Sequence, residues 1–233
     1  MWIAAKEKER LRLEAYDTWR KLTPEEEVQW RQGKIKATPC AMILNRKRDE
    51  TYKARLVVLG NRWNNCGDSN VYASVVSQVG NRATLVHAVR EGMHVIPFDI
   101  GNAFIRASMG DLKVAVTIPW NFRNGKDQLD SGRRMLLKAL YGLPISPRLW
   151  AKTFGKDLIG LGWTECISEP GVWRKFDKNQ KIIAYLTVYV DDCVLAAKDV
   201  ATANAEVDII NKMHPLSRIP CIPSKKGGFT FDL

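Results

Sequence analysis

"LTVYVDDCVLAAKD", residues 186–199, sets two adjacent aspartates, Asp191 and Asp192, between two short apolar runs. Val188 and Val190 lead in, and Val194, Leu195, Ala196 and Ala197 lead out. The pattern predicts strand, tight turn, strand, with both carboxylates at the turn. One reading is a hairpin that merely uses Asp as a turn residue. The other is that two negative charges are kept together because something positive sits between them and a substrate.

Working outward, "GVWRKFDKNQKIIAYLTVYV" predicts a second hairpin, turning at Lys178 to Gln180. Before it, "SPRLWAKTFGKDLIGLG" has Ser146 as N-cap, Pro147 at N1 and Gly162 as a stop. Leu149, Trp150, Phe154, Leu158 and Leu161 share one stripe, which predicts a helix. "ATANAEVDIINKM" predicts another helix after the aspartates, followed by a tail bearing Pro and Gly. "HVIPFDIGNAF" reads as a strand ending at Asp99, with Pro97 implying an edge or a bulge. "KVAVTIPW" supplies a further strand, and a Gly/Asn/Asp loop at residues 121–132 carries the chain to "RRMLLKALYG". From Val95 onward the order fits an α+β layer, an antiparallel sheet with helices behind it, close to the split βαβ arrangement.

The first part of the chain reads differently. "AAKEKERLRLEAYDTWRKL" interleaves charges with Leu11, Leu13, Ala15 and Trp19, and predicts a surface helix serving as a solvated lead-in or packing arm. "TPEEEVQWRQG" predicts a second, with Thr23 as N-cap, Pro24 at N1, Glu26 at N3 and Gly33 as a stop. "KATPCAMILN" and "TYKARLVVLG" predict two strands joined by "RKRDE", with Lys53 and Arg55 on one face. A polar loop follows at residues 61–74. "SQVGNRATLVHAVREG" then predicts a helix with Val79, Leu85, Val86 and Val89 available for burial.

Composition narrows the class. The chain has 233 residues, 45% hydrophobic, enough for a sizeable core in one or two domains. A net charge of +11 favours a polyanionic partner, nucleic acid first. The longest apolar run, "IIAYLTVYV", is too short to span a bilayer, and early charges at Lys6, Glu7 and Lys8 argue against a secretory leader. Five cysteines without a CxxC pair predict neither a zinc knuckle nor a disulfide framework, and a reducing compartment. His87, His94 and His214 join no constellation.

If the strands carrying Asp99 and Asp191–Asp192 are neighbours, three carboxylates converge. They would repel one another unless divalent cations neutralise them. At this point the residues carry a resemblance. "YVDD" (189–192) resembles the signature box of reverse transcriptases, and "FDIGNAF" their first aspartate motif. "ALYGLPISPRLW", "YKARLVVLG" and "YASVVS" are similar to three further boxes of the copia-type retrotransposon enzymes. The ordered set runs over roughly residues 36–213.

The resemblance implies a right-hand polymerase, fingers and palm present and thumb missing. It divides the chain into a helical lead-in at 1–35, a fingers-like segment at 36–92, a palm at 93–215 with fingers elements interleaved, and a tail at 216–233 leading towards a primer grip. It implies RNA- and DNA-directed DNA synthesis with two magnesium ions, for which manganese can substitute, held by Asp99, Asp191, Asp192 and the Ile100 carbonyl. Phe104 would crowd the sugar 2′ position, Lys53 and Arg55 would meet the triphosphate, Tyr189 would lie near the primer terminus, and Gly142 would admit nucleotide or template. The partners implied are a primed RNA or DNA template, deoxynucleoside triphosphates, and the thumb and ribonuclease H segments of a longer Pol polyprotein. The setting implied is cytoplasmic particles, with the nucleus as the other. Two departures stand out: Pro144 and Ile145 replace a common Lys and Gln, and "GGFTFDL" ends ahead of the family's primer grip and thumb. They keep open the alternative of a catalytically inactive remnant that does no more than bind nucleic acid.

Overall fold

A computed structural model describes residues 1–63, 71–123, 130–220, 222–223 and 229–230. Parts of the expected polar loops (64–70 and 124–129) and most of the tail beyond 220, with Cys66 and Cys221, lie outside the described residues. In chain order the elements are α1 (Trp2–Ala15), β1 (Trp19–Lys21), α2 (Pro24–Arg31), β2 (Ala37–Arg46), β3 (Tyr52–Val58), α3 (Gln78–Arg90), β4 (His94–Ile100) and α4 (Ala103–Arg106). There follow β5 (Ala115–Thr117), β6 (Arg133–Leu136), α5 (Ser146–Gly160), β7 (Trp163–Glu165), β8 (Val172–Phe176), β9 (Ile182–Tyr189), β10 (Asp192–Ala197), α6 (Val200–Met213), β11 (Leu216–Arg218), β12 (Ile222–Pro223) and β13 (Phe229–Thr230). The fold is mixed α and β. It divides into two compact units, Met1–Tyr72 with Phe104–Trp150, and Ala73–Ala103 with Ala151–Leu233.

The first unit is built on a five-stranded sheet in the order β1-β6-β5-β2-β3. β2 and β3 pair antiparallel from Cys40↔Val58 to Arg46↔Tyr52, as the two apolar runs predict, and β2 pairs with β5 in parallel. β3 is the edge strand, and α1 packs along it. Leu13 is fully buried, and the buried Glu9 accepts a hydrogen bond from the Leu56 amide (3.1 Å). Glu9 is also paired with Arg12 (2.6 Å), so its charge is compensated where it is buried. α1 is thus a packing arm, but it stops at Ala15, short of the expected helix. Asp17 takes a positive φ of 48°, and Trp19 opens β1, paired with Leu136. α2 carries the predicted capping box, with Thr23 accepting from the Glu26 amide and Glu26 accepting from the Thr23 amide.

The second unit holds a six-stranded sheet, β11-β4-β10-β9-β8-β7, antiparallel at every pair. β4 and β9 run in the same direction with β10 inserted between them. Following β4, α5, β9, β10, α6 and β11, the spatial order is fourth, first, third, second, which is the split βαβ arrangement. The three-residue strand β11, hidden in the expected tail, completes it. The Ile219 amide donates to the Pro97 carbonyl, so the nitrogen of Pro97 also faces the β11 side. β11 pairs only from Leu216 to Arg218, and the missing donor therefore costs no ladder bond.

Alternation divides the sheet's faces. Asp99, Asp192, Val194, Ala196, Tyr189, Thr187 and Tyr185 share one, by the registers Asp192↔Asp99 and Asp192↔Tyr189. α3 lies on that face, its Asn81 accepting from the Thr187 hydroxyl (2.9 Å) and His87 edge-on to Tyr185. α6 backs the opposite face, burying Ala203, Val207 and Ile210, with Lys175 of β8 bonded to Glu206 (2.6 Å). Phe98, Leu186 and Leu195 are completely buried on that side, each contributing about 1.5–3 kcal/mol over exposure.

Two further expectations are corrected. Val79, Val86 and Val89 of α3 are exposed, and the helix buries Gly80 and Ala88 instead. Gly80 lies against the Glu169 side chain, which a Cβ would strike, while Asn81 and His87 meet Thr187 and Tyr185 of the sheet, and these contacts select the face over the wider apolar stripe. Ser146 is the first residue of α5 rather than its cap, and its buried hydroxyl donates to the Leu140 carbonyl (2.7 Å).

Candidate active site

In the second unit the β9–β10 turn consists of Val190 and Asp191, closed by the Tyr189↔Asp192 pair. A two-residue hairpin turn demands a positive φ at its first position, and Val190 has φ 61°. A β-branched residue there stores about 1–3 kcal/mol of strain. By its apolar character Val190 reads as part of the lead-in strand rather than as a turn residue. The signal to the contrary is the two-residue spacing between the strands, which leaves no glycine or asparagine to take the strained position. The backbone of Val188, two residues earlier, is held from one side. Its amide donates to Gly171 (2.8 Å), and its carbonyl accepts from Val76 (2.9 Å) of the "YASVVS" box. Gly171 (φ +82°) is needed for this, since a Cβ would run into the Val75–Val76 backbone.

β4 joins the turn from the other side. The Ile100 amide donates to the Asp191 carbonyl (2.8 Å), and Ile100 is fully buried. Asp99 is the direct cross-strand partner of Asp192. Burial, then Asp191, then Asp99 push the Asp192 carboxyl above its ordinary range. Tyr189, 58% exposed, stands on the same face beside them. Thus Asp99, Ile100, Tyr189, Asp191 and Asp192 are gathered at one end of the sheet. The donors are hard oxygens, and the repulsion that Asp192 registers is what an oxygen-seeking divalent cation relieves. The side chains themselves are not drawn round a common centre: among the described residues no three His, Cys, Asp or Glu form a group that could hold an ion.

The remaining predicted residues, Lys53, Arg55, Phe104 and Gly142, lie in the first unit. Lys53 and Arg55 line a cleft of about 400 Å³ with Lys47, Asn45, Tyr141 and Gly142. The Arg55 guanidinium stacks 4.7 Å from the Tyr141 ring, and its buried Nε has no hydrogen-bond partner. Phe104 meets the same ring edge-on at 5.0 Å. Tyr141, which the sequence reading quoted within a box but did not single out, is therefore the ring that orders both neighbours. Its carbonyl accepts from the Val58 amide (2.8 Å). Gly142, at φ +82°, lies so close to β3 that a Cβ would strike the Val58 carbonyl and the Val57 side chain.

Compared with known proteins, residues 32–221 match the family model described as reverse transcriptase (RNA-dependent DNA polymerase). The chain belongs to the reverse transcriptase family. It is of the copia type: it is 30% identical over 162 residues to the retrovirus-related Pol polyprotein from transposon RE2 of Arabidopsis thaliana, covering 69% of this chain. It is 31% identical over 170 residues (69% of this chain) to that from transposon TNT 1-94 of Nicotiana tabacum. The Transposon Ty1-BL Gag-Pol polyprotein of Saccharomyces cerevisiae is 31% identical over 174 residues, 73% of this chain. The match spans 11%, 12% and 9% of these relatives respectively, so this reverse transcriptase chain corresponds to about a tenth of each. No helix among its described residues is long and apolar enough to cross a membrane.

Proposed function

We propose that the chain is the fingers and palm of an RNA- and DNA-directed DNA polymerase, catalysing nucleotidyl transfer to a primer 3′-hydroxyl. The observation that carries the reading is the register that sets Asp99 opposite Asp192, with the Ile100 amide tied to the Asp191 carbonyl. Residues 36–92 supply most of the fingers, 93–215 the palm, 1–35 a lead-in packed on β3, and 216–233 the approach to a primer grip.

Magnesium, as a pair of ions replaceable by manganese and held by Asp99, Asp191, Asp192 and the Ile100 carbonyl, would supply activation of the attacking hydroxyl and neutralisation of the leaving pyrophosphate. The protein's own part is positioning. The exposed ring of Tyr189 meets the primer terminus. Lys53 and Arg55 receive the triphosphate in charge-assisted contacts, the Tyr141 ring under the guanidinium helping to hold Arg55 in the cleft. Phe104, steadied against Tyr141, crowds the sugar 2′ position. Asp192 holds its proton more readily than a free carboxyl until positive charge arrives.

The test is primer extension on an RNA template with magnesium, comparing the whole chain with its Asp191→Asn variant. Extension by the parent and none by the variant is expected. Absence of extension by either leaves the remnant reading, a chain that binds nucleic acid without chemistry. Equal extension by both rejects the role given to Asp191.

A further inference from the structure

α1 turns one face to the first unit, a row made of Glu9, Arg12, Leu13 and, at the helix's C-cap, Tyr16. Leu13 in that row is what packing alone would select. Glu9 and Arg12 are not. Glu9 is only 5% exposed, and a buried ion pair stabilises a fold no better than apolar side chains of similar size. The pair calls for a reason other than stability.

The edge of β3 supplies one. Backbone amides two residues apart point the same way off a strand, and those of Leu56 and Val58 both point away from β2. The Glu9 carboxylate accepts from the Leu56 amide (3.1 Å) and the Tyr141 carbonyl from the Val58 amide (2.8 Å). Neighbouring donors on one edge thus set α1 beside Tyr141. Arg12, held by Glu9 at 2.6 Å, has its Cζ 5.8 Å from the centre of the Tyr141 ring, the same ring that Arg55 meets at 4.7 Å and Phe104 at 5.0 Å. Glu9 offsets the charge that Arg12 would otherwise turn on Arg55. Farther along the face, the Tyr16 hydroxyl accepts from Arg106 (2.7 Å), in the short helix α4 that also carries Phe104. α1 therefore touches each of the three segments that bring Arg55, Tyr141 and Phe104 together. Arg12 is not among the described residues that line the cleft, so it can act on a ligand there only through its neighbours.

We infer that Arg12 is a positioning residue for this cleft: paired with the buried Glu9, it holds the Tyr141 ring, and through that ring the Arg55 guanidinium, where a nucleoside triphosphate is received. The inference rests on the polymerase reading, and it gives α1 a share in substrate binding besides its packing.

The test uses the whole chain on oligo(dT)-primed poly(rA) with magnesium. It reads kcat and KM for deoxythymidine triphosphate and, in parallel, equilibrium binding of a fluorescent deoxythymidine triphosphate. Arg12→Ala would strand the buried Glu9 charge and endanger folding, so the variant of choice is Glu9→Gln with Arg12→Met. It keeps an acceptor for the Leu56 amide and the bulk of the arginine stem, and removes the Arg12 cation from the ring. KM and the dissociation constant should rise about 2- to 30-fold, the range of a cation–π contact, with kcat within about twofold of the parent. Arg12→Lys, which keeps both the ion pair and a cation, should recover most of the affinity. In an Arg55→Ala background the Glu9→Gln, Arg12→Met pair should cost nothing further, because the group it acts through is gone. A role in folding alone would lower the urea midpoint, leave KM in place and add to the loss from Arg55→Ala. Parent-like KM and binding in the paired variant, or a full additional loss in the Arg55→Ala background, would overturn the inference. Should the parent bind the nucleotide without extending the primer, the polymerase reading falls, and binding by the same variants still decides the positioning role. No nucleotide binding by the parent would overturn both.

Discussion

Asp99 and Asp192 face each other across β4 and β10 as a non-hydrogen-bonded antiparallel pair, because the neighbouring Ile100 amide makes the ladder bond to Asp191. In such pairs the Cα atoms approach to about 4.5 Å and the side chains are closest. Like charges directly opposite each other destabilise a sheet. The fold therefore bears a repulsion at its proposed active site that hydrophobic packing on the opposite sheet face has to outweigh.

Replacing Asp192 by Asn should raise stability at neutral pH while abolishing primer extension. The folded carboxyl titrates above its ordinary value of 3.8, so the folded state binds the proton more tightly than the unfolded chain. The parent accordingly loses stability as pH rises from about 3.8 through the raised value, and the Asn variant lacks that loss. Urea melts at pH 4 and pH 7 should show the variant's advantage growing with pH. An advantage that shrinks would contradict the repulsion. Magnesium should raise the melting temperature of the parent more than that of the variant.

Val190→Gly should give a more stable hairpin than Val190→Ala, by about 1 kcal/mol in denaturant unfolding, since glycine alone relieves the φ of 61°. Equal stabilities would mean that the turn is not strained.

Gly142→Ala should cost about 2 kcal/mol or more, from the left-handed φ and the collision with the Val58 carbonyl together. Gly110→Ala, also at positive φ but with nothing within 4 Å, is the control and should cost less. A reversed order in thermal unfolding would reject the close approach of Gly142 to β3.

Arg55→Ala should lower kcat/KM for deoxynucleotide about 10- to 100-fold, the range for a lost charge-assisted hydrogen bond. Arg55→Lys should recover only part of this, because lysine keeps the charge but not the guanidinium over the Tyr141 ring. Full recovery would show that this contact is irrelevant.

Much of this is legible in the sequence alone. The apolar alternation around Asp191 and Asp192 determines a hairpin, Thr23 to Glu26 determines a helix start, and Lys53 and Arg55 must share a face, because each follows from local geometry with a fixed period. The ordered boxes were sufficient to identify the family. What needed the tertiary structure was whatever depends on partners distant in sequence. Three residues as short as Leu216–Arg218 have no periodicity, and they become a strand only because β4 offers an open edge. α3 presents valines on one side and Gly80 with Ala88 on another; only the contacts made with Glu169 and with the sheet decide which side is buried. The pairing of Asp99 with Asp192 is likewise a matter of register between strands some ninety residues apart, which no local pattern encodes.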